Sequence, residues 1–407
     1  MSIARLPNEL LYRIFEFCGP IVRGQTCISQ WAKLMRVCWR WHGIAQSVLY
    51  NQAPLEIFFE NRRLSAKALP PPPVRRLFRS LAFHEESRYD NPSDRVAIPV
   101  AVIGLLISVR TLILNYPLNP RKINHRTLMS LLTKMPLTHL DLRACHNLDT
   151  LLIASDIPTL KHLNVTNSIW DGFCAAIWRG FVPEIEDLER ALPAGKERTS
   201  PITSLQVRCY TWPIEIIKRL FSWPARLERA DLHLLDVAHE GSTPDIILEV
   251  LAPQASSLKA ISIGSLPTAE AEHVMPSFSQ FPCLEELSLF GQDLFHETPE
   301  NAARLLQSPT LKRLTLIWEM GGFYYHGIRQ SLNEGHSSWL KGFLVRLKKS
   351  GTIPRLKVIR LDYNNGEPEA DHLREPAEQC GIWIVFYQWK LVRGEFEKWI
   401  PVKEVVL

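Results

Sequence analysis

Long apolar runs are scarce in this 407-residue chain. The longest, Val96 to Val109, is too short to span a bilayer, so no membrane partner is expected. Paired cysteines are missing as well. The eight Cys (18, 27, 38, 145, 174, 209, 283 and 380) are scattered and form no C-x-x-C pair. That spacing suits neither a disulfide framework nor a zinc site, and a reduced cytoplasmic or nuclear setting is expected. Strong charge imbalance is absent: a net charge of +5 permits a nucleic-acid partner without arguing for one. The phosphate-cradling and catalytic patterns G-x-G-x-x-G, P-loop, H-E-x-x-H and G-x-S-x-G are lacking. His84-Glu85-Glu86 is adjacent rather than helically spaced, which does not suit a metal. No enzyme, cofactor or metal is therefore expected. Charged residues Arg5, Glu9, Arg13 and Glu16 interrupt the apolar positions at the start, so no secretory signal is expected there.

What is present begins with Leu6-Pro7-Asn8-Glu9-Leu10-Leu11-Tyr12-Arg13-Ile14-Phe15. Pro7 suits the first turn of a helix, where its missing N–H costs nothing. Glu9 follows near the positive end of the helix dipole. Leu10, Ile14 and Cys18 fall on one helical stripe, and Leu11 and Phe15 on the next. A second apolar group, Trp31, Leu34, Met35, Val37, Cys38 and Trp41, leads on to Ile44, Val48 and Leu49. Two or three short helices with wide apolar faces are expected. A unit of about 50 residues is marginal alone, so part of this surface should meet something else.

The run Leu-Pro-x-Glu-Leu-Leu-x-x-Ile-Phe, followed by Val-Cys-x-x-Trp, resembles the F-box. The resemblance covers roughly residues 3–50, with a longer link from Cys18 to Val37 than in compact family members. It implies a small helical bundle that docks on a Skp-type adaptor and, indirectly, a cullin scaffold. The residues it points to for adaptor binding are Leu6, Pro7, Leu10, Leu11, Ile14, Phe15, Val37, Cys38 and Trp41.

Residues 51–73 read as a helical, proline-rich linker ending in Pro70 to Pro73, a run that favours extended geometry. "LEIFF" within it could be strand or helix. Beyond it, from 74 to 407, the template apolar-x-x-apolar-x-apolar recurs. Its middle positions are Leu81, Leu112, Leu140, Leu163, Leu205, Ala230, Ile261, Leu287, Leu314 and Ile359. Seven of the nine separations lie near the roughly 20–29 residues of leucine-rich repeats. The two long ones hold insertions, at 166–201 and 318–355. The alternation in each copy is that of a strand, and helical stretches follow several copies: Thr127 to Met135, Pro213 to Phe221, Pro244 to Leu251 and Glu300 to Leu306. The second insertion holds an amphipathic stretch, Ser338 to Lys349, with Gly351 as its stop. One strand and one helix cannot bury a core alone, so copies must stack. The fold expected is α/β: a short helical F-box, then an irregular leucine-rich-repeat solenoid. Its parallel strands would form the concave side and its helices the outside. The apolar tail Ile382 to Trp389 would cap it.

In such strands the x positions point to the open face and line up in rows. Arg143, Arg208 and His233 are candidates for an anion or phosphopeptide patch. Phe290, Ile317 and Trp318 are candidates for an apolar anchor. His139 and His146 read as solvated or internally satisfied. Docking motif first and solenoid second imply a substrate-recognition subunit of a Skp–cullin–F-box ubiquitin ligase, whose client the sequence does not name. The alternatives are an adaptor-bound scaffold without ubiquitin delivery and a nucleic-acid-binding solenoid.

Overall fold

The computed structural model of the chain describes residues 6–18, 21–22, 25–26, 33, 35–52, 55–59, 79–85, 108–115, 132–143, 157–167, 195–209, 214–234, 244–264, 275–317, 334–363, 371–392 and 398–406. The chain divides into two units, Met1–Asn164 and Val165–Leu407.

The first unit opens with helix α1, Asn8–Cys18. Pro7 stands just before it and accepts from the Leu11 amide at 3.1 Å. A short antiparallel pair, β1 Ile21–Val22 and β2 Gln25–Thr26, follows. Helix α2, Trp39–Gln52, packs on α1. Strands β3 Leu55–Phe59, β4 Ser80–Glu85, β5 Thr111–Asn115 and β6 His139–Arg143 then pair in parallel, and β7, His162–Asn167, lies beside β6. Strand β3 falls in the stretch read as linker, so the ladder begins before the proline run. The four prolines themselves lie outside the described residues.

The second unit carries β8 Ser204–Cys209, α3 Ile214–Ser222, β9 Arg229–Leu234, α4 Pro244–Leu251 and β10 Ala260–Ile263. Next come β11 Glu286–Phe290, α5 Gly291–Phe295, α6 Pro299–Leu305 and β12 Arg313–Ile317. The unit closes with α7 Glu334–Ser350, β13 Val358–Tyr363, α8 Asp371–Cys380, β14 Trp383–Val392 and β15 Lys398–Val406. Strands β8 to β14 are parallel and in sequence order, and β15 returns antiparallel to β14. Helix α7 stops at Gly351, whose φ of 59° is the left-handed turn that glycine accepts without strain. Among the described residues no helix is long and apolar enough to cross a membrane.

Each copy of the apolar template has become one strand: β4 to β6 in the first unit, β7 across the division at Asn164, and β8 to β13 in the second. Among the described side chains its middle and last apolar residues, such as Leu112 and Leu114 or Leu287 and Leu289, are buried, and the x residues between them are not. The helices of the second unit bury Ile216, Leu220 and Phe221, then Ile247 and Val250, then Phe343, Leu344 and Leu347 into the same core. Burial of this apolar surface is the main favourable term.

Hydrogen bonds repeat with the template. At the start of a strand two successive amides meet one carbonyl of the preceding strand: Thr138 and His139 reach Arg110, Lys259 and Ala260 reach Glu228, and Lys312 and Arg313 reach Glu285. The hydroxyl residue before the first apolar position adds a second stitch. Thr159 donates to the Leu137 carbonyl at 2.7 Å, Ser257 to Leu227 at 2.8 Å and Thr310 to Leu284 at 2.8 Å. These bonds satisfy carbonyls that would otherwise be stranded near the core.

Candidate functional site

The two helices of the first unit sort the residues of the opening motif into inside and outside. Leu11 and Phe15, one turn apart on α1, are buried. Phe15 joins Ala45 and Val48 of α2 in a small core that Tyr12, Ile14, Met35, Trp41 and Ile44 flank. Trp41 meets Phe15 edge to face at 5.1 Å, a favoured aromatic geometry. Of the nine residues assigned to adaptor binding, Leu11, Phe15 and Trp41 thus hold the helices together. The other stripe looks out. Leu10 is 50% exposed and Val37 58%, and Pro7 and Cys38 are exposed beside them in sequence. Leu6 and Ile14 are half-buried. Trp39, which the sequence pattern did not single out, is the most exposed large apolar residue described, at 86%.

Arg40 brings the two exposed groups together. Its Nε donates to Asn8 Oδ1 at 2.6 Å, and its Nη2 donates to the Leu6 carbonyl. The start of α2 is thereby tied to the start of α1. His42 Nδ1 lies 3.3 Å from the Met35 carbonyl and braces the turn between. Exposed large apolar side chains set over a packed base are a feature of protein-contact surfaces.

Residues 3–53 match a family model described as F-box-like, so the chain carries an F-box-like domain at its start. No curated protein matches the chain.

The open face of the second unit places Arg208 and His233 side by side, paired in the β8–β9 register. Both contact Asp231, and Arg208 stays exposed. Arg208 Nη2 is 3.4 Å from Asp231 Oδ2, and His233 Nε2 is 2.7 Å from Asp231 Oδ1. That Oδ1 is buried and meets no hydrogen-bond donor in regular geometry. Burial alone would raise the Asp231 pKa. The close contacts of His233 and Arg208 outweigh it and hold the carboxyl below its ordinary value. Two of the three residues expected to hold an anion thus already contact an internal carboxylate. Arg143 lies on β6 of the first unit, and its side chain is outside the described residues. Phe290 and Ile317 are direct neighbours in the β11–β12 register and half-buried; Trp318 lies outside the described residues.

The rim at the strand starts of the second unit alternates in sign. Lys259 reaches Glu228 at 3.2 Å, and Lys312 reaches Glu285 at 2.8 Å. The Lys312 bond holds the Glu285 carboxyl below its ordinary pKa. Arg229 and Arg313 both reach Glu286, at 3.3 and 3.1 Å.

In the first unit, His139 opens β6 and stacks on His162 of β7, with centroids 4.0 Å apart and planes 11° apart. Thr138 Oγ1 lies 2.9 Å from His139 Nδ1, and partial burial lowers the His139 pKa. Beside the rings, Asn164 Nδ2 donates to Asp141 Oδ1 at 3.0 Å. This two-by-two array went unnoticed in the sequence, although the template register places 139 beside 162 and 141 beside 164. Among the described residues no group of three or more His, Cys, Asp or Glu could hold a metal ion.

Proposed function

We propose that this chain is the client-recruiting subunit of a Skp–cullin–F-box ubiquitin ligase and donates no catalytic group of its own. In this reading the F-box-like domain docks a Skp-type adaptor, and the strand–helix repeats form a leucine-rich-repeat solenoid that holds the client. The cullin scaffold joins through the adaptor, in the cytoplasm or nucleus. The observation that carries the reading is the F-box-like match over residues 3–53 on a helical pair that leaves Leu10, Val37 and Trp39 exposed. The in-phase parallel strands support the second half, because such a ladder offers rows of outward side chains for a partner. Recruitment would act by raising the effective concentration of the client near the ubiquitin-loaded enzyme.

The test is co-purification with a Skp-type adaptor, wild type beside a Leu10→Ala, Trp39→Ala double variant. Capture by the wild type and loss in a folded variant supports the reading; capture unchanged in the variant removes this docking surface. Ubiquitin transfer to a co-purifying protein in a reconstituted ligase then separates a client receptor from a scaffold.

A further inference from the structure

Arg40 and Trp41 are neighbours on α2, yet they meet α1 at two levels. Trp41 packs edge to face on Phe15 beside the small core. Arg40 reaches back to Asn8, where its Nε meets Oδ1 at 2.6 Å, and its Nη2 donates to the Leu6 carbonyl. Asn8 and Phe15 are seven residues apart on the helix. At roughly 1.5 Å per helical residue, the two levels lie about 10 Å apart. The core holds the helices together, and a second attachment at a separate level resists rotation about it.

The place is an unfavourable one for a cation. Arg40 is the second residue of α2, at the positive end of the helix dipole, and no acidic residue stands in that first turn. Its guanidinium gains instead from two acceptors at the start of α1, which a planar fork reaches together through Nε and Nη2. The exposed apolar residues belong to the same two helix starts. Leu10 stands two residues beyond Asn8. Trp39 directly precedes Arg40, and its ring meets His42 edge to face with centroids 5.8 Å apart. His42 Nδ1 lies 3.3 Å from the carbonyl of Met35, two residues before Val37. Trp39 and the turn that carries Val37 are thus both braced on the first turn of α2. Contact residues held in place before the partner arrives lose less freedom on binding.

We propose that Arg40 is the positioning residue of adaptor docking. By joining the start of α2 to Asn8 and Leu6, it holds Trp39 and Val37 at a fixed setting relative to Leu10. The role requires no contact between Arg40 and the adaptor. The inference rests on the reading of the helical pair as an adaptor-docking surface and assigns a residue that tunes it.

The experiment is isothermal titration of the full chain with a purified Skp-type adaptor. The chains are wild type, Arg40→Ala, Arg40→Lys, Asn8→Ala and the double variant of Arg40→Ala with Asn8→Ala. Arg40→Ala weakens binding by about ten-fold, the affinity equivalent of one charged hydrogen bond. Arg40→Lys weakens it nearly as much, because a point charge on a flexible stem does not hold two acceptors in a fork. Asn8→Ala also weakens binding, and the double variant binds no worse than Arg40→Ala. Thermal midpoints stay within about 4 °C of wild type, since removing a cation from the helix start offsets part of the lost bonding. Wild-type affinity in Arg40→Lys would show that charge alone matters and overturns the proposal. Wild-type affinity in Arg40→Ala, or losses that add in the double variant, overturns it too. Should Arg40→Ala unfold, Asn8→Ala decides, since it leaves α2 intact: folded and weakened supports the proposal, folded and unaffected overturns it. No binding by the wild type removes the docking reading and this proposal with it, whereas wild-type binding with unaffected variants removes this proposal alone.

Discussion

Arg229 reaches over Ala260 to Glu286. Ala260 lies between them in the ladder, paired with Arg229 on one side and Glu286 on the other, and its methyl group leaves the path open for a contact of 3.3 Å. Arg313 approaches the same carboxylate from the other side at 3.1 Å. One carboxylate thus ties strands β9, β11 and β12 together from the open face.

Glu286→Gln should therefore loosen that face modestly. These pairs are exposed, and each contributes only about 0.2–1 kcal/mol. The variant should show a lower urea midpoint at low salt. The difference from wild type should shrink in about 1 M salt, where screening reaches within about 3 Å. An equal loss at both salt levels would mean that Glu286 acts through packing instead.

Phe15→Ala and Trp39→Ala should have opposite consequences. Phe15 is buried against Ala45, Val48 and Trp41. Its truncation leaves a cavity and should cost about 3–5 kcal/mol of stability in the helical unit. Trp39 is exposed, so its truncation should stay within about 0.5 kcal/mol while adaptor capture falls. Thermal unfolding and adaptor pull-down, run on both variants, separate the two roles.

Asp231 should add acid sensitivity to the second unit. Its folded pKa is held below the ordinary 3.8. A depressed carboxyl contributes stability that is present above the unfolded pKa and is lost as pH falls through the folded one. Asp231→Asn should therefore be less stable than wild type at pH 7, and the gap should close below about pH 4. Urea midpoints across that range read it directly; a constant gap would show that the carboxylate charge is not what matters.

Gln254 should be a costly residue to lose for a polar one. It is buried, its Nε2 donates to the carbonyls of Phe221 and Pro224 at 3.1 and 2.8 Å, and its Oε1 accepts from the Leu227 amide at 3.0 Å. Gln254→Ala strands those groups, each at about 1–3 kcal/mol if no water replaces the amide. Hydrogen exchange at the Leu227 amide should accelerate along with the loss of global stability.

Much of the strand ladder was legible because a period-two apolar pattern has only one way to face a core. All ten template copies lie on strands, and the helices read at Pro213 to Phe221, Pro244 to Leu251 and Ser338 to Lys349 are present within a few residues. Two further parallel strands escaped the template. Strand β3 has Gln52 where the first apolar residue should be, and β14 has Gly381, whose φ of 64° turns the chain out of α8. The docking surfaces were less legible. Leu10 and Leu11 are chemically alike, and only the position of α2 decides which stripe is inside. Trp39 stands next to Arg40, whose tie to Asn8 and Leu6 pairs residues more than thirty apart. One neighbour of Arg208 and His233 was visible in the register: Asp231 shares their face, and both already contact that half-buried carboxylate.

The reversed direction of β15 sets how a chain of this kind can lengthen. Every strand from β8 to β14 presents its neighbour with a parallel partner, so a duplicated repeat could slot in anywhere along that series. Strand β15 breaks the rule of direction. The β14–β15 register shifts between Gln388 and Trp389, and Trp389 pairs with Pro401, which has no amide hydrogen to donate. An extra repeat appended beyond β15 would find neither the right polarity nor a full set of donors. The reversed polarity of β15 and its proline thus mark the one place in the described ladder where the parallel repeat geometry is not offered to a further copy.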